Sequence, residues 1–168
     1  MTEVRDAENI ILVELNSGTV MIELMPKIAP NHVNRMKELS RTGLYDNVCF
    51  HRVIDGFMAQ TGDVKHGNMG QNFALAKAGT GGSDLPNLKA EFSKIPHDRG
   101  TIGAARSSHP DSANSQFFIN FMDNHFLNFK YTVYGRVIEG MELVDRIARG
   151  EPPKMPDRIN SMRVAADV

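Results

Sequence analysis

Apolar residues alternate with polar ones from Ile10 to Leu15 (Ile11, Val13, Leu15) and again from Val20 to Leu24 (Val20, Ile22, Leu24), with Asn16-Ser17-Gly18 between the two runs. A period of two lays one face of an extended chain against a core, and Asn-Ser-Gly is turn chemistry, so the pattern predicts a β-hairpin. The period then lengthens. After Pro26 and Pro30, the residues Val33, Met36 and Leu39 fall on one stripe of a helix, with Asn31 as the expected N-cap and Gly43 as the expected stop. Short apolar runs follow at 48–53, 57–60, 101–105, 116–120 and 131–137, most of them bounded by Gly, Asp, Asn or Pro, and each reads as a strand. Between Val64 and Pro96 the periodicity fades and Gly79-Thr80-Gly81-Gly82-Ser83 appears, the mark of a long surface excursion. Met141, Val144 and Ile147 predict a second amphipathic helix, stopped by Gly150 and Pro152-Pro153. Residues 158–168 read as a closing strand with Met162, Val164, Ala166 and Val168 on one side.

These elements predict one mainly β domain over residues 1–168. Its expected architecture is an eight-stranded antiparallel barrel, closed on itself and capped by two α-helices, because closure removes exposed edges and each helix has a stripe to bury. The hydrophobic fraction of 41% with 14 glycines is that of an ordinary globular chain. Nineteen Lys and Arg against 20 Asp and Glu leave a formal charge of -1, so no overall field draws nucleic acid or an anionic membrane. Nothing approaches the ~20 apolar residues of a membrane span, and the opening MTEVRDAEN lacks the apolar core of a secretory leader. The single cysteine, Cys49, excludes an internal disulfide and suits a reducing compartment. A cytoplasmic monomer is expected.

The candidate chemistry is sparse. Six histidines come no closer in sequence than His97 and His109, and there is no thiolate cluster, so no metal site is expected. Cys49 and His51 would share a strand face, as a thiol and its base or as a buried small hydrophobe beside a locally bonded imidazole. Ser107, Ser108, Ser112 and Ser115 near His109 and Asp111 lack a nucleophile elbow, and turn-forming polarity accounts for them. The Gly79–Ser83 run lacks the lysine of a phosphate loop and suits close approach of backbone to a peptide. More informative are FHRVIDGFMAQTGD (Phe50 to Asp63) and SQFFIN (Ser115 to Asn120), which set Arg52 among Phe57, Met58, Gln60, Gln116 and Phe118. A fixed cation, an apolar seat and amides that donate and accept are what a twisting Xaa-Pro amide needs, since rotation faces about 18–20 kcal/mol of lost resonance and frees a lone pair on the prolyl nitrogen. Adjacent Phe57 and Met58 should face opposite ways on a regular strand, so a shared site requires a bulge or bend there. On the residues alone, an isomerase, a binding module and a thiol hydrolase all stay open.

The two segments resemble the active site of the cyclophilins, the peptidyl-prolyl cis-trans isomerases, and the similarity runs from the first hairpin to the last strand. The resemblance implies a cofactor-free isomerase acting on proline-containing peptides and on unfolded or client proteins. It implies Arg52 as the catalytic residue, a proline pocket of Phe57, Met58, Phe118 and Leu127, and backbone-gripping amides at Gln60 and Gln116. Gly79 and Ala105 would line the neighbouring part of the groove, followed by Arg106 and Ser107. Three positions depart from the commonest pattern. Phe126 stands where many members carry tryptophan, Tyr131 where histidine is common, and Arg106 where asparagine is familiar. All three look like bacterial-type members, and losing the indole N–H implies weakened affinity for cyclosporin-type cyclic peptides. A proline-peptide binding module or holdase chaperone, without turnover, is the alternative from another class.

Overall fold

The turn at Asn16-Ser17 sets a register in which Ile11 faces Ile22 and Val13 faces Val20 across β1 (Ile10–Leu15) and β2 (Gly18–Leu24). Those alternating side chains are buried, as the period of two requires. The computed structural model describes residues 6–168, so the opening Met1–Arg5, and with it part of the leader expectation, lies outside the described residues. The remaining strands are β3 (Arg52–Ile54), β4 (Met58–Thr61), β5 (Thr101–Ala104), β6 (Phe117–Asn120), β7 (Val133–Glu139) and β8 (Ser161–Val164). All eight form one sheet in the order β3-β4-β6-β5-β7-β2-β1-β8, and every ladder among the described residues is antiparallel. The end strands β3 and β8 share no ladder; single bridges, Cys49 to Arg158 and Val53 to Gly150, connect the segments beside them. The architecture is a mainly β, curled eight-stranded antiparallel sheet with two helices.

Strand alternation divides the packing in two. Ala59, Phe117 and Ile119 point into the main core with Ile11, Ile22 and Met36, and Phe117 meets Tyr45 edge-on at 5.6 Å. Met58 and Phe118, one residue away along the same strands, point outward and pack with Ala105 and Leu127 in a second, smaller cluster. The Tyr45 hydroxyl donates to the Ser115 carbonyl at 2.7 Å, which ties the start of β6 to the core.

Helix boundaries differ from the expectation in instructive ways. α1 (Pro30–Arg41) begins two residues early, with Ala29 rather than Asn31 at the N-cap. Proline suits the first helical position because it has no N–H to leave unpaired. The orphan amides of Asn31 and His32 instead donate to the Glu91 carboxylate, 3.3 and 2.9 Å away, which reaches in from the long excursion and places negative charge at the helix start. α2 (Met141–Val144) is a single turn, and Ile147 is buried beyond it. β8 stops at Val164, and Ala165–Asp167 curls into a 3-10 turn, so Ala166 and Val168 do not continue its inward face. The excursion itself matches the sequence: from Gly62 to Gly100 there is no strand, only the 3-10 turn Leu75–Lys77.

Glu91→Ala should lower stability by about 1–2 kcal/mol, the usual worth of a helix cap. A urea titration should show an earlier midpoint with an unchanged slope; an unmoved midpoint would mean that the distant carboxylate does not cap α1.

Candidate active site

Three ladders put one row of side chains on the outward face of the sheet. Arg52 pairs with Gln60, Gln60 with Phe118, and Phe118 with Gly103, across β3, β4, β6 and β5. Directly paired residues share a face, so the guanidinium, the amide and the ring are neighbours by register alone. Gly103 makes room for the ring: a Cβ there would lie 2.2 Å from Phe118 Cζ. Met58 joins the same face two residues before Gln60. Phe57 is not in the strand at all. It closes the turn after β3, its N–H donating to the Ile54 carbonyl at 3.0 Å beside Gly56 at φ 71°, which is the bend that lets both neighbours line one site.

Together these residues border a groove of about 470 Å³, whose walls are Arg52, Phe57, Met58, Phe118, Leu127 and Tyr131 with Gln60, Gly79, Ala105 and Arg106. Gln116 and Ser107 border an adjoining depression of about 250 Å³ that shares Gln60, Gly79, Ala105 and Arg106 with the groove. Phe126 borders neither cavity. It stands on the rim, 63% exposed, with its ring 5.7 Å from that of Phe57. His51 and, from the Gly79–Ser83 run, Thr80 also border the groove; Leu75, Ala76 and Ala78 of the long excursion, and Glu151 and Pro152 after α2, complete the wall and had no signal in the sequence, because only chain reversal brings them there.

A polar relay crosses the floor. Arg52 Nη1 donates to Gln60 Oε1 at 3.3 Å, Gln60 Nε2 to Gln116 Oε1 at 3.0 Å, and Gln116 Nε2 to the Gly79 and Gly81 carbonyls at 2.9 Å each. A guanidinium only donates and a carbonyl only accepts, so the two ends dictate how both amides point. Beyond the glycines sits Asp63, whose buried carboxylate accepts from the backbone N–H of Lys65 (3.0 Å), His66 (2.9 Å), Gly79 (2.8 Å) and Gly81 (2.9 Å). Burial alone would raise that carboxyl, but the four amides hold it below the usual carboxylate range. Glycine at 81 is obligatory here, since a Cβ would lie 2.6 Å from Asp63 Oδ1. The Gly79–Ser83 run is therefore wrapped around a buried charge, and it presents two carbonyls to Gln116.

Behind Phe118 lies the buried His97 ring, stacked at 5.9 Å. Asn120 Nδ2 lies 3.3 Å from its Nδ1, and its Nε2 lies 3.0 Å from the Tyr131 carbonyl, so a neutral ring donating through Nε2 satisfies both contacts. Burial holds this imidazole below its ordinary value. Asn120 also accepts from Asn124 at 2.8 Å, and Asn124 donates to the Phe57 carbonyl at 2.9 Å, which fixes the turn carrying Phe57. On the outer side Tyr131 meets Phe118 edge-on at 5.9 Å and carries the Arg106 guanidinium 4.3 Å above its ring. The thiol-hydrolase reading is overturned. Burial pushes the Cys49 thiol up to about 11, the cysteine borders neither cavity, and His51, though in the groove wall, is held below its ordinary value by burial. Among the described residues, side chains able to share a cation converge only at Asp98, Asp123 and His125, exposed and away from the groove lining.

Residues 10–164 match the family described as cyclophilin type peptidyl-prolyl cis-trans isomerase/CLD. The chain belongs to this isomerase family. It is 54% identical over 167 residues to a probable peptidyl-prolyl cis-trans isomerase of Brucella suis, covering 96% of this chain and 85% of that protein. Against peptidyl-prolyl cis-trans isomerase B of Escherichia coli the identity is 35% over 150 residues, 79% of each chain. The crystal structure of a cyclophilin from Hirschia baltica superposes with a TM-score of 0.85 at 29% identity, covering 99% of this chain and 77% of that one. A cyclophilin type isomerase of Cryptosporidium parvum, crystallised in the presence of the dipeptide Ala-Pro, gives 0.78 at 25% identity over 92% of this chain and 98% of that one. No helix among the described residues of this cyclophilin is long and apolar enough to cross a membrane.

The Asp63 carboxyl titrates lower in the folded chain than its unfolded value of about 3.9, so its contribution to stability is complete above that value and is lost as the pH falls through the folded one. Asp63→Asn should be less stable at pH 7 and show a flatter loss of stability toward acid, measured as urea midpoints from neutral to acidic pH; an acid limb identical to the parent's would refute this. Gly103→Ala should push the Phe118 ring off β5, abolishing the ring-current shifts that Phe118 and Tyr131 impose on each other's neighbours in the NMR spectrum.

Proposed function

We propose that this cyclophilin accelerates rotation about Xaa-Pro bonds with Arg52 as the catalytic group, no covalent bond being made or broken. The observation that carries the reading is the row Arg52, Gln60, Phe118 on one face, which sets a guanidinium at the edge of an apolar groove. A planar prolyl amide has no available lone pair on nitrogen; a twisted one does, and a hydrogen bond to it stabilises the twisted form over both planar ones. Arginine stays protonated throughout the working pH range and keeps donors to spare beyond the one it gives Gln60. Phe57, Met58, Phe118 and Leu127 would seat the pyrrolidine ring, while Gln60 and Gln116 would hold the peptide backbone as half of it turns. Gly79, Ala105, Arg106, Ser107 and Tyr131 would flank the rest of the bound chain. An acceleration of roughly 10⁵ asks for about 7 kcal/mol of differential stabilisation, within reach of one desolvated charged donor plus positioning.

The relative crystallised in the presence of Ala-Pro supports proline-containing peptides as ligands; the reading takes such segments of unfolded or client proteins as the natural substrates. Phe126, without an N–H and outside the groove, would contact a substrate from the rim and favours weakened binding of cyclosporin-type peptides. The reading takes residues 1–168 as one monomeric domain in the cytoplasm, and takes the bridges Cys49 to Arg158 and Val53 to Gly150 as closing the curled sheet into a barrel.

Exchange NMR on an Ala-Pro peptide tests the mechanism. Arg52→Ala should lower kcat/KM by about 100-fold or more, and Arg52→Lys should recover little, because a point charge does not reproduce the fork. The rate should be nearly flat across neutral pH, since the arginine stays charged and His51 and His97 are held neutral by burial. An Arg52→Ala variant as fast as the parent would remove the mechanism, and peptide binding by the parent without faster exchange would favour the holdase.

A further inference from the structure

Arg52 has a second partner that its own strand does not supply. Its Nε donates to Glu151 Oε1 at 3.1 Å, and Glu151 borders the groove with Pro152. Glu151 is carried there by the backbone. Val53 N–H donates to the Gly150 carbonyl and Gly150 N–H to the Val53 carbonyl, each at 2.8 Å, so the segment after α2 is sewn to β3 one residue away from both members of the pair. The mount tolerates no side chain at position 150: Gly150 has φ 145°, and a Cβ would lie 2.5 Å from Pro153 Cα. The same segment is tied a second time to the β3–β4 turn, where Arg149 Nε donates to Asp55 Oδ1 at 3.1 Å and the Arg149 guanidinium covers Phe121 at 4.2 Å. Both partners of the Arg52–Glu151 pair are solvent-exposed, at 44% and 57%, so the pair adds little to folding stability. Its effect lies in geometry. With Nε–H given to Glu151 and one Nη1 hydrogen to Gln60, the guanidinium plane is held from two sides, and among the described residues no group takes the Nη2 hydrogens.

We propose that Glu151 is a positioning residue of the isomerase reaction: it fixes the plane of Arg52 through Nε, so that the free Nη donors point to where the prolyl nitrogen turns pyramidal. The inference rests on Arg52 being the catalytic group. Glu151 touches no reacting atom and acts through the arginine. Losing it leaves the charge in place but lets the fork swing, and a donor that must be re-aimed in each turnover costs kcat rather than substrate binding.

The test compares Glu151→Ala, Glu151→Gln, Arg52→Ala and the double variant in the full chain, with kcat and KM separated by NMR line-shape analysis over a range of Ala-Pro peptide concentrations. Glu151→Ala should lower kcat roughly five- to tenfold with KM changed less than about twofold. Glu151→Gln, which still offers an oxygen to Nε–H, should recover at least half of that loss. Adding Glu151→Ala to Arg52→Ala should cost nothing more. The Arg52 Nε–H resonance should move and broaden in Glu151→Ala and return toward the parent position in Glu151→Gln, a readout that a merely structural role would leave unmoved. A Glu151→Ala variant with unchanged or higher kcat, a glutamine variant as slow as the alanine one, or an equal loss in the Arg52→Ala background would overturn the proposal. If Arg52→Ala itself keeps the parent rate, the catalytic reading fails instead, and the two failures are told apart within one set of spectra.

Discussion

Everything at the groove depends on the strict alternation of side chains along β4 and β6. Ala59, Phe117 and Ile119 enter the main core, while Met58, Gln60 and Phe118 leave it on the other face. A slip of one residue would exchange the two sets, burying an amide in the core and turning the core ring Phe117 to solvent. The core therefore selects the register, and the register delivers the outward row of Arg52, Gln60 and Phe118 as a consequence. Packing energy thus fixes functional geometry in this protein, and Gly103, the one position in the row without a side chain, lets the Phe118 ring lie against its neighbour strand.

On that row the polar groups form a chain with a carboxylate at each end. Glu151 accepts from Arg52, Arg52 donates to Gln60, Gln60 to Gln116, and Gln116 to the carbonyls of Gly79 and Gly81, whose own N–H groups close on Asp63. Each link uses the donor or acceptor that the previous one leaves, so no amide is free to flip without breaking a neighbour. Such a floor is stiff but contains no group poised to move a proton near neutrality. That suits a reaction whose only change at the reacting centre is loss of amide planarity. Beside the groove, burial favours the uncharged forms of both Cys49 and His51.

Much of this was legible in the chain. The hairpin and the α1 stripe followed from their periods, and the two segments around Arg52 and Phe118 named Arg52, Phe57, Met58, Gln60 and Phe118, which meet across the groove. Phe57 beside Met58 posed a conflict that the turn at Gly56 resolves. Other features were hidden for a common reason. Glu91 caps α1 from some sixty residues away in sequence. Glu151 reaches Arg52 across nearly a hundred. Phe126, adjacent in sequence to the groove residue Leu127, stands outside on the rim, because the 3-10 turn His125–Leu127 sends neighbouring residues in different directions.

The order of apolar and polar residues alone determined the strands and the first helix, because these depend on contacts a few residues long, whereas the family became readable through the resemblance that the side chains of two short segments carry. Where the long excursion lies, which carboxylate caps a helix and which one flanks the arginine were decided only when the sheet curled. Those pairings join residues far apart along the chain, and their free energy exists only after the intervening core has formed.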